Sequence, residues 1–166
     1  MVETCPSAEV PPCGERCMSN NPSVVDIGSK KPMFRRAIAT GVLAVPPQVL
    51  EIALEGVTSK GDLRTSSTIA AIMAVKNTPT SLPHCHPIPI DSCTVDWEDD
   101  DLGLRCTVTV TSTAKTGVEM EALCGVSAGL LCALDMLKPI LKDSDGQYPG
   151  TSIEGIRVLS KHKHPA

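Results

Sequence analysis

Aromatic side chains are nearly absent: one Trp, one Tyr and one Phe in 166 residues. Recognition of single-stranded nucleic acid by base stacking needs rings that this chain does not have. The formal charge of −4, from 15 Lys and Arg against 19 Asp and Glu, also leaves no basic footprint for a phosphate backbone. No uninterrupted apolar run reaches the roughly 20 residues that span a bilayer. The opening MVETCPSAEVPPCGERC has no apolar centre of the kind that marks a secretory leader. These absences predict a cytoplasmic protein without nucleic-acid or membrane partners. CxxC, Gly-x-Ser-x-Gly, His-Glu-x-x-His and the dinucleotide glycine fingerprint are missing as well, so Ser-His-Asp catalysis and nucleotide-fold redox chemistry have no local support.

What is present is an aliphatic chain. Hydrophobic residues make up 42%, enough for a core of Val, Ile, Leu, Ala and Met, and the length suits one domain at roughly 100–200 residues each. Residues 1–22 are rich in Pro, Cys, Ser and Asn without periodicity, which predicts a mobile tail before a single domain over 23–166. Of the eight cysteines, Cys93, Cys106, Cys124 and Cys132 fall in apolar or strand-like runs and read as small buried thiols. Cys5, Cys13 and Cys17 lie in the tail, where a metal site would lack an evident fourth ligand.

MFRRAIATGVLAV (33–45) reads as a strand, and Pro46-Pro47 open a short helix that Gly56 ends. LRTSSTIAAIMAVKNT (63–78) reads as a helix stopped by Asn77 and Pro79. Prolines 83, 87 and 89 fix an extended loop. Two strands, IDSCTVDWE and LRCTVTVTSTAK, flank an acidic turn. A long helix follows from Thr116 to Pro139, then a loop, a last strand IEGIRVLSK and a tail HKHPA. With the short first helix set aside, the order is strand, helix, strand, strand, helix, strand. That is the α+β, ferredoxin-like split βαβ order, with a four-stranded antiparallel sheet and helices on one face. The other sheet face then meets solvent, the extra short helix or a second subunit.

Within the long helix, Glu121, Cys124, Ala128, Leu131, Asp135 and Lys138 share one sector at about 100° per residue. Small residues at Gly125, Ser127, Ala128 and Gly129 leave room for another backbone, which points to an oligomer. Asp135 and Lys138 are neighbours on the helix surface. Lys60-Gly61-Asp62 precedes a helix, where the lysine can reach an anion at the helix start. His84, Cys85 and His86 stand in the proline-stiffened loop. Neighbours in an extended segment point to opposite sides, so a pocket for a polar ligand suits them better than one metal ion.

Four segments, KGD at Lys60, PHCHPIPI from Pro83, KTGVEMEAL from Lys115 and DMLK from Asp135, come in this order and at these separations. Together they resemble the molybdenum cofactor biosynthesis protein C family, the cyclic pyranopterin monophosphate synthases, from about Val25 to Ser160. The resemblance implies a lyase that takes 3',8-cyclo-7,8-dihydro-GTP to cyclic pyranopterin monophosphate with loss of pyrophosphate, using no cofactor and no metal. It implies a homohexamer, a trimer of dimers, with sites at dimer interfaces. It implies Lys60, Asp135 and Lys138 as the acid–base group, and leaves open whether Lys60 and Lys138 of one site come from neighbouring subunits or from one chain. His84, Cys85, His86, Met120 and Glu121, supported by Glu119, would hold the ring, and Arg35 would meet the triphosphate. Lys76 and Lys115 match basic positions of less defined role. Departures are His84 in place of an aliphatic residue, Thr68 and Asn77 in place of Arg, and no Gly-Gly-Lys loop near the C-terminus, where Lys161 or Lys163 are the available substitutes. Rival readings are a metal-binding module on the His-Cys-His loop and an inactive scaffold with the same fold.

Overall fold

Alternation marks the two strands of one hairpin, Ser92–Asp100 and Gly103–Ala114, most clearly. In strand β5 (Gly103–Ala114), Leu104, Cys106, Val108 and Val110 are fully buried, while Arg105, Thr107, Thr109 and Thr111 turn to the opposite face. Such a pattern belongs to a sheet covered on one side only. Strand β1 (Met33–Ala44) pairs with β5 along its whole length, and Thr40 Oγ1 donates to the Cys106 carbonyl at 3.1 Å on the polar face. Beyond β5 lies β4 (Ser92–Asp100), and beyond β1 lies β6 (Ser152–His164). The order β4-β5-β1-β6, antiparallel throughout, is the one the split βαβ reading predicts. This computed structural model describes residues 22–165. Residues 1–21 of the expected tail, with Cys5, Cys13 and Cys17, lie outside the described residues.

Helices α2 (Leu63–Lys76) and α4 (Glu119–Leu141) cover the apolar face. In α4 the buried positions Ala122, Gly125, Val126, Gly129, Leu130, Ala133 and Leu137 recur every three or four residues, the stripe that seats a helix on a sheet. Gly125 admits α2 and β5 closely: a Cβ there would lie 2.8 Å from Val75 Cγ2 and 3.1 Å from Val108 Cγ1. The small residues at 125 and 129 do admit another backbone, but it is that of α2 in the same subunit: a Cβ at Gly129 would lie 3.5 Å from the Ser67 carbonyl oxygen. Helix α1 (Pro47–Glu55) contributes Val49 and Ala53 to this same core, so it does not cover the outer sheet face. That face carries Thr94, Asp96, Glu98, Arg105, Thr107 and Thr109 on β4 and β5, compatible with water, and Ile38, Thr40 and Val42 on β1, of which Thr40 and Val42 are buried. By length and composition α4 would suffice to cross a bilayer, but here it is the central core helix.

Three boundaries differ from the sequence expectation. The segment 57–62 is a small hairpin, β2 (Val57–Thr58) with β3 (Gly61–Asp62). A single turn, α3 (Thr78–Ser81), follows α2 directly, with Pro79 in its first turn, where the missing N–H costs nothing. Helix α4 starts at Glu119 and continues through Pro139 to Leu141. The fourth difference bears on function. The HKH of the expected C-terminal tail is strand, because β1 begins at Met33 and offers it pairing as far as Phe34↔His164, whose rings stack at 4.4 Å.

Candidate functional site

The β2–β3 hairpin presents Lys60 at its tip. Thr58 Oγ1 accepts from the Lys60 N–H and donates to the Gly61 carbonyl, and Gly61 takes φ +111, a region that favours glycine. Asp62 then caps α2 by accepting from Thr65 N at 2.6 Å. The Lys-Gly-Asp run is thus a launching turn, and its lysine leaves α2 altogether. Lys60 Nζ lies 2.6 Å from Asp135 Oδ2, and Lys138 Nζ lies 3.4 Å from Asp135 Oδ1. Hydrogen bonds from Lys60 first, and then from Lys138, hold the Asp135 carboxyl below the usual carboxylate range. All three groups are partly exposed. They meet within one chain, one of the two arrangements that the sequence leaves open.

A second group surrounds a cavity of about 340 Å³. His84, Cys85 and His86 form one wall; Glu119, Met120 and Glu121 face them from the first turn of α4. Met120 is 43% exposed, whereas Glu121 is only 3% exposed. Burial pushes the Glu121 carboxyl up, and the nearby Glu119 charge adds to this. The Cys85 thiol is also raised, first by burial and then by the Glu121 charge. Both histidines are oriented from behind. His84 Nδ1 is 2.8 Å from the Ser23 carbonyl and His86 Nε2 is 2.7 Å from the Val25 carbonyl. Lys115 Nζ donates to the Gly28 carbonyl at 2.9 Å. Residues 23–28 therefore form a strap against the loop. In the tautomer that donates to Val25, His86 keeps Nδ1 as its acceptor.

The third group is cationic. A cavity of about 190 Å³ is lined by Arg35 and Arg36 from β1, Lys161, His162 and Lys163 from β6, and the start of α4. Register explains the gathering, since Arg35 pairs with Lys163 and Arg36 with His162. Arg35 Nε donates to the Ala114 carbonyl at 3.5 Å, and Lys161 meets the Glu119 carboxylate at 3.1 Å. Gly117 and Glu119 border both cavities, so the histidine-lined space and the cationic space adjoin. Arg36, His162 and Lys163 are what the sequence reading missed or left unassigned. The signal was the alternation Lys-His-Lys-His, a period-2 pattern in a segment taken for a tail.

One chain does not bring the first group to the other two. Glu121 and Asp135 are 14 residues apart on α4, roughly 21 Å at 1.5 Å per residue. The sector between them is half-buried at Cys124 and Ala128 and open at Leu131, 58% exposed. The shared helix face is real, but it is a seam beside the core stripe and not part of it.

The MoaC family model matches residues 24–164. The chain belongs to the MoaC family. Among its relatives, a protein of Methanoregula boonei is 47% identical over 140 residues, covering 84% of this chain and 90% of its own. One from Thermococcus kodakarensis is 45% identical with the same coverage, and one from Aeropyrum pernix is 44% identical over 84% of this chain and 96% of its own. Each of these relatives is named a probable cyclic pyranopterin monophosphate synthase. The positions where this MoaC chain departs from the pattern have local partners. Thr68 Oγ1 accepts from Trp97 Nε1 at 3.0 Å, Asn77 Nδ2 donates to the Met73 carbonyl, and His84 holds the strap.

Proposed function

We propose that this chain is a cyclic pyranopterin monophosphate synthase of molybdenum cofactor biosynthesis. It would convert 3',8-cyclo-7,8-dihydro-GTP to cyclic pyranopterin monophosphate and release pyrophosphate. The carrying observation is the Lys60–Asp135–Lys138 cluster, two amines on one carboxylate contributed by segments 75 residues apart. Ring opening and closure are proton transfers, for which paired ammonium groups oriented by a carboxylate are suited. His84, Cys85, His86, Met120 and Glu121, with Glu119, would hold the heterocycle. Arg35, helped by Lys161 and Lys163, would take the triphosphate. Nothing in this reading draws on a metal or redox cofactor.

The distance along α4 favours a site shared between chains, the cluster of one subunit facing the pocket of another. A homohexamer built as a trimer of dimers, in the cytoplasm, fits this reading. Incubation of the purified protein with the cyclic dihydro-GTP, followed by product analysis, tests it. Expected are the pterin and one pyrophosphate per turnover; unchanged substrate refutes the reading. Light scattering should give a mass six times the 17.5 kDa subunit, and a monomer at micromolar concentration refutes the shared site.

A further inference from the structure

Proline inside a helix breaks a local rule, and such breaks tend to persist where function needs them. Pro139 is exposed, lies within α4 and is followed by two more helical residues. In an α-helix each carbonyl accepts from the N–H four residues ahead. The donor for the Asp135 carbonyl would be residue 139, and proline has no N–H. That carbonyl accepts instead from Lys60 Nζ at 2.9 Å, while the same ammonium donates to Asp135 Oδ2 at 2.6 Å. Lys60 is therefore held by two acceptors of one residue, one on the backbone and one on the side chain. Lys138 shares only the carboxylate.

We propose that Pro139 is a positioning residue for Lys60: by withholding the helical donor, it reserves the Asp135 carbonyl as the second anchor of the Lys60 amine. A lysine ammonium carries three N–H donors on a flexible stem. With two donors fixed on Asp135, the third has a defined direction, and it is the one open to substrate. The anchoring carbonyl is part of the helix backbone, so it does not swing away as a carboxylate can. The functional weight of this device rests on the reading of Lys60 as an acid–base group, whereas the anchoring itself is measurable without substrate.

The test compares the natural chain with Pro139→Ala, which restores the N–H, and with lactic acid placed at position 139. The lactic acid form has an ester linkage, with neither ring nor N–H. In each background the carbonyl 13C resonance of Asp135 is recorded with Lys60 intact and with Lys60→Met. The natural and lactic acid forms should both show a clear displacement on loss of the lysine, and Pro139→Ala should show at most half of it. In turnover, Pro139→Ala should lower kcat about 3- to 30-fold with KM held within about twofold, less than the ~10²-fold that an ångström of misplacement costs. The lactic acid form should keep more than half of kcat. An Asp135 resonance indifferent to Lys60→Met in the natural chain overturns the proposal. So does a lactic acid form that loses as much as Pro139→Ala, since ring sterics would then be the cause. Unimpaired turnover in Lys60→Met, with the 13C response present, would instead remove Lys60 from the chemistry and leave the anchoring standing.

Discussion

Glu121 is a buried carboxyl whose surroundings oppose its charge. Its folded state holds a proton more tightly than the unfolded chain does, because burial raises the carboxyl. A raised carboxyl lowers stability as pH climbs from the ordinary value near 4.5 through the folded value, and above that the whole penalty is present. Glu121→Gln should therefore raise the melting temperature at about pH 7, and the gain should fade below about pH 4. Loss of stability of the same size at both pH values would contradict this. Cys85 has the opposite kind of inertness. Its raised thiol and the absence of an assigned base argue against a nucleophile, so Cys85→Ser should keep measurable turnover. Complete loss with unchanged substrate affinity would make it one. Lys60→Ala and Lys138→Ala should each lower turnover by roughly 10²–10⁴-fold with folding intact. Arginine should rescue neither, because its pKa above ~12 prevents proton release. Near-natural rates in either alanine variant would remove that lysine from the chemistry.

At the scale of elements, the sheet order was legible from the succession of strands and helices, and β4 and β5 declare their faces by alternation. Leu104 through Val110 read plainly as β5. The end of β6 carries only the weak period-2 signal of Lys161-His162-Lys163-His164, which has no apolar member to mark a buried face, and the segment becomes a strand by pairing to β1. The site was legible as motifs and not as geometry. Lys60 and Asp135 stood out as chemistry, yet no periodicity relates a hairpin tip to a helix end 75 residues later. Pro139 was misread because a rule for helix ends takes no account of a tertiary donor. The β6 extension carries its own expectation: Lys161→Ala and Lys163→Ala should each weaken pyrophosphate binding several-fold, more at low salt than at high. Calorimetry at two ionic strengths measures this, and equal affinity in natural and variant protein would take β6 out of the anion site.

For the whole molecule, the feature that matters is the length of α4, with the His84–Cys85–His86 cavity at its start and the ion cluster near its end. A site shared between subunits predicts that two inactive variants can complement. Lys60→Ala and His86→Ala, each inactive alone, should regain turnover after verified subunit exchange, since some sites would join an intact cluster to an intact pocket. Lys60→Ala with Lys138→Ala should regain none when both lysines of a cluster come from one chain. Recovery in the second mixture, or none in the first, would return the site to a different arrangement. The same spacing has a consequence for heredity. Two damaged alleles in one cell, one altered at Lys60 and the other at His86, would together assemble working sites that neither encodes alone, so the phenotype would follow the pairing of the lesions and not their number.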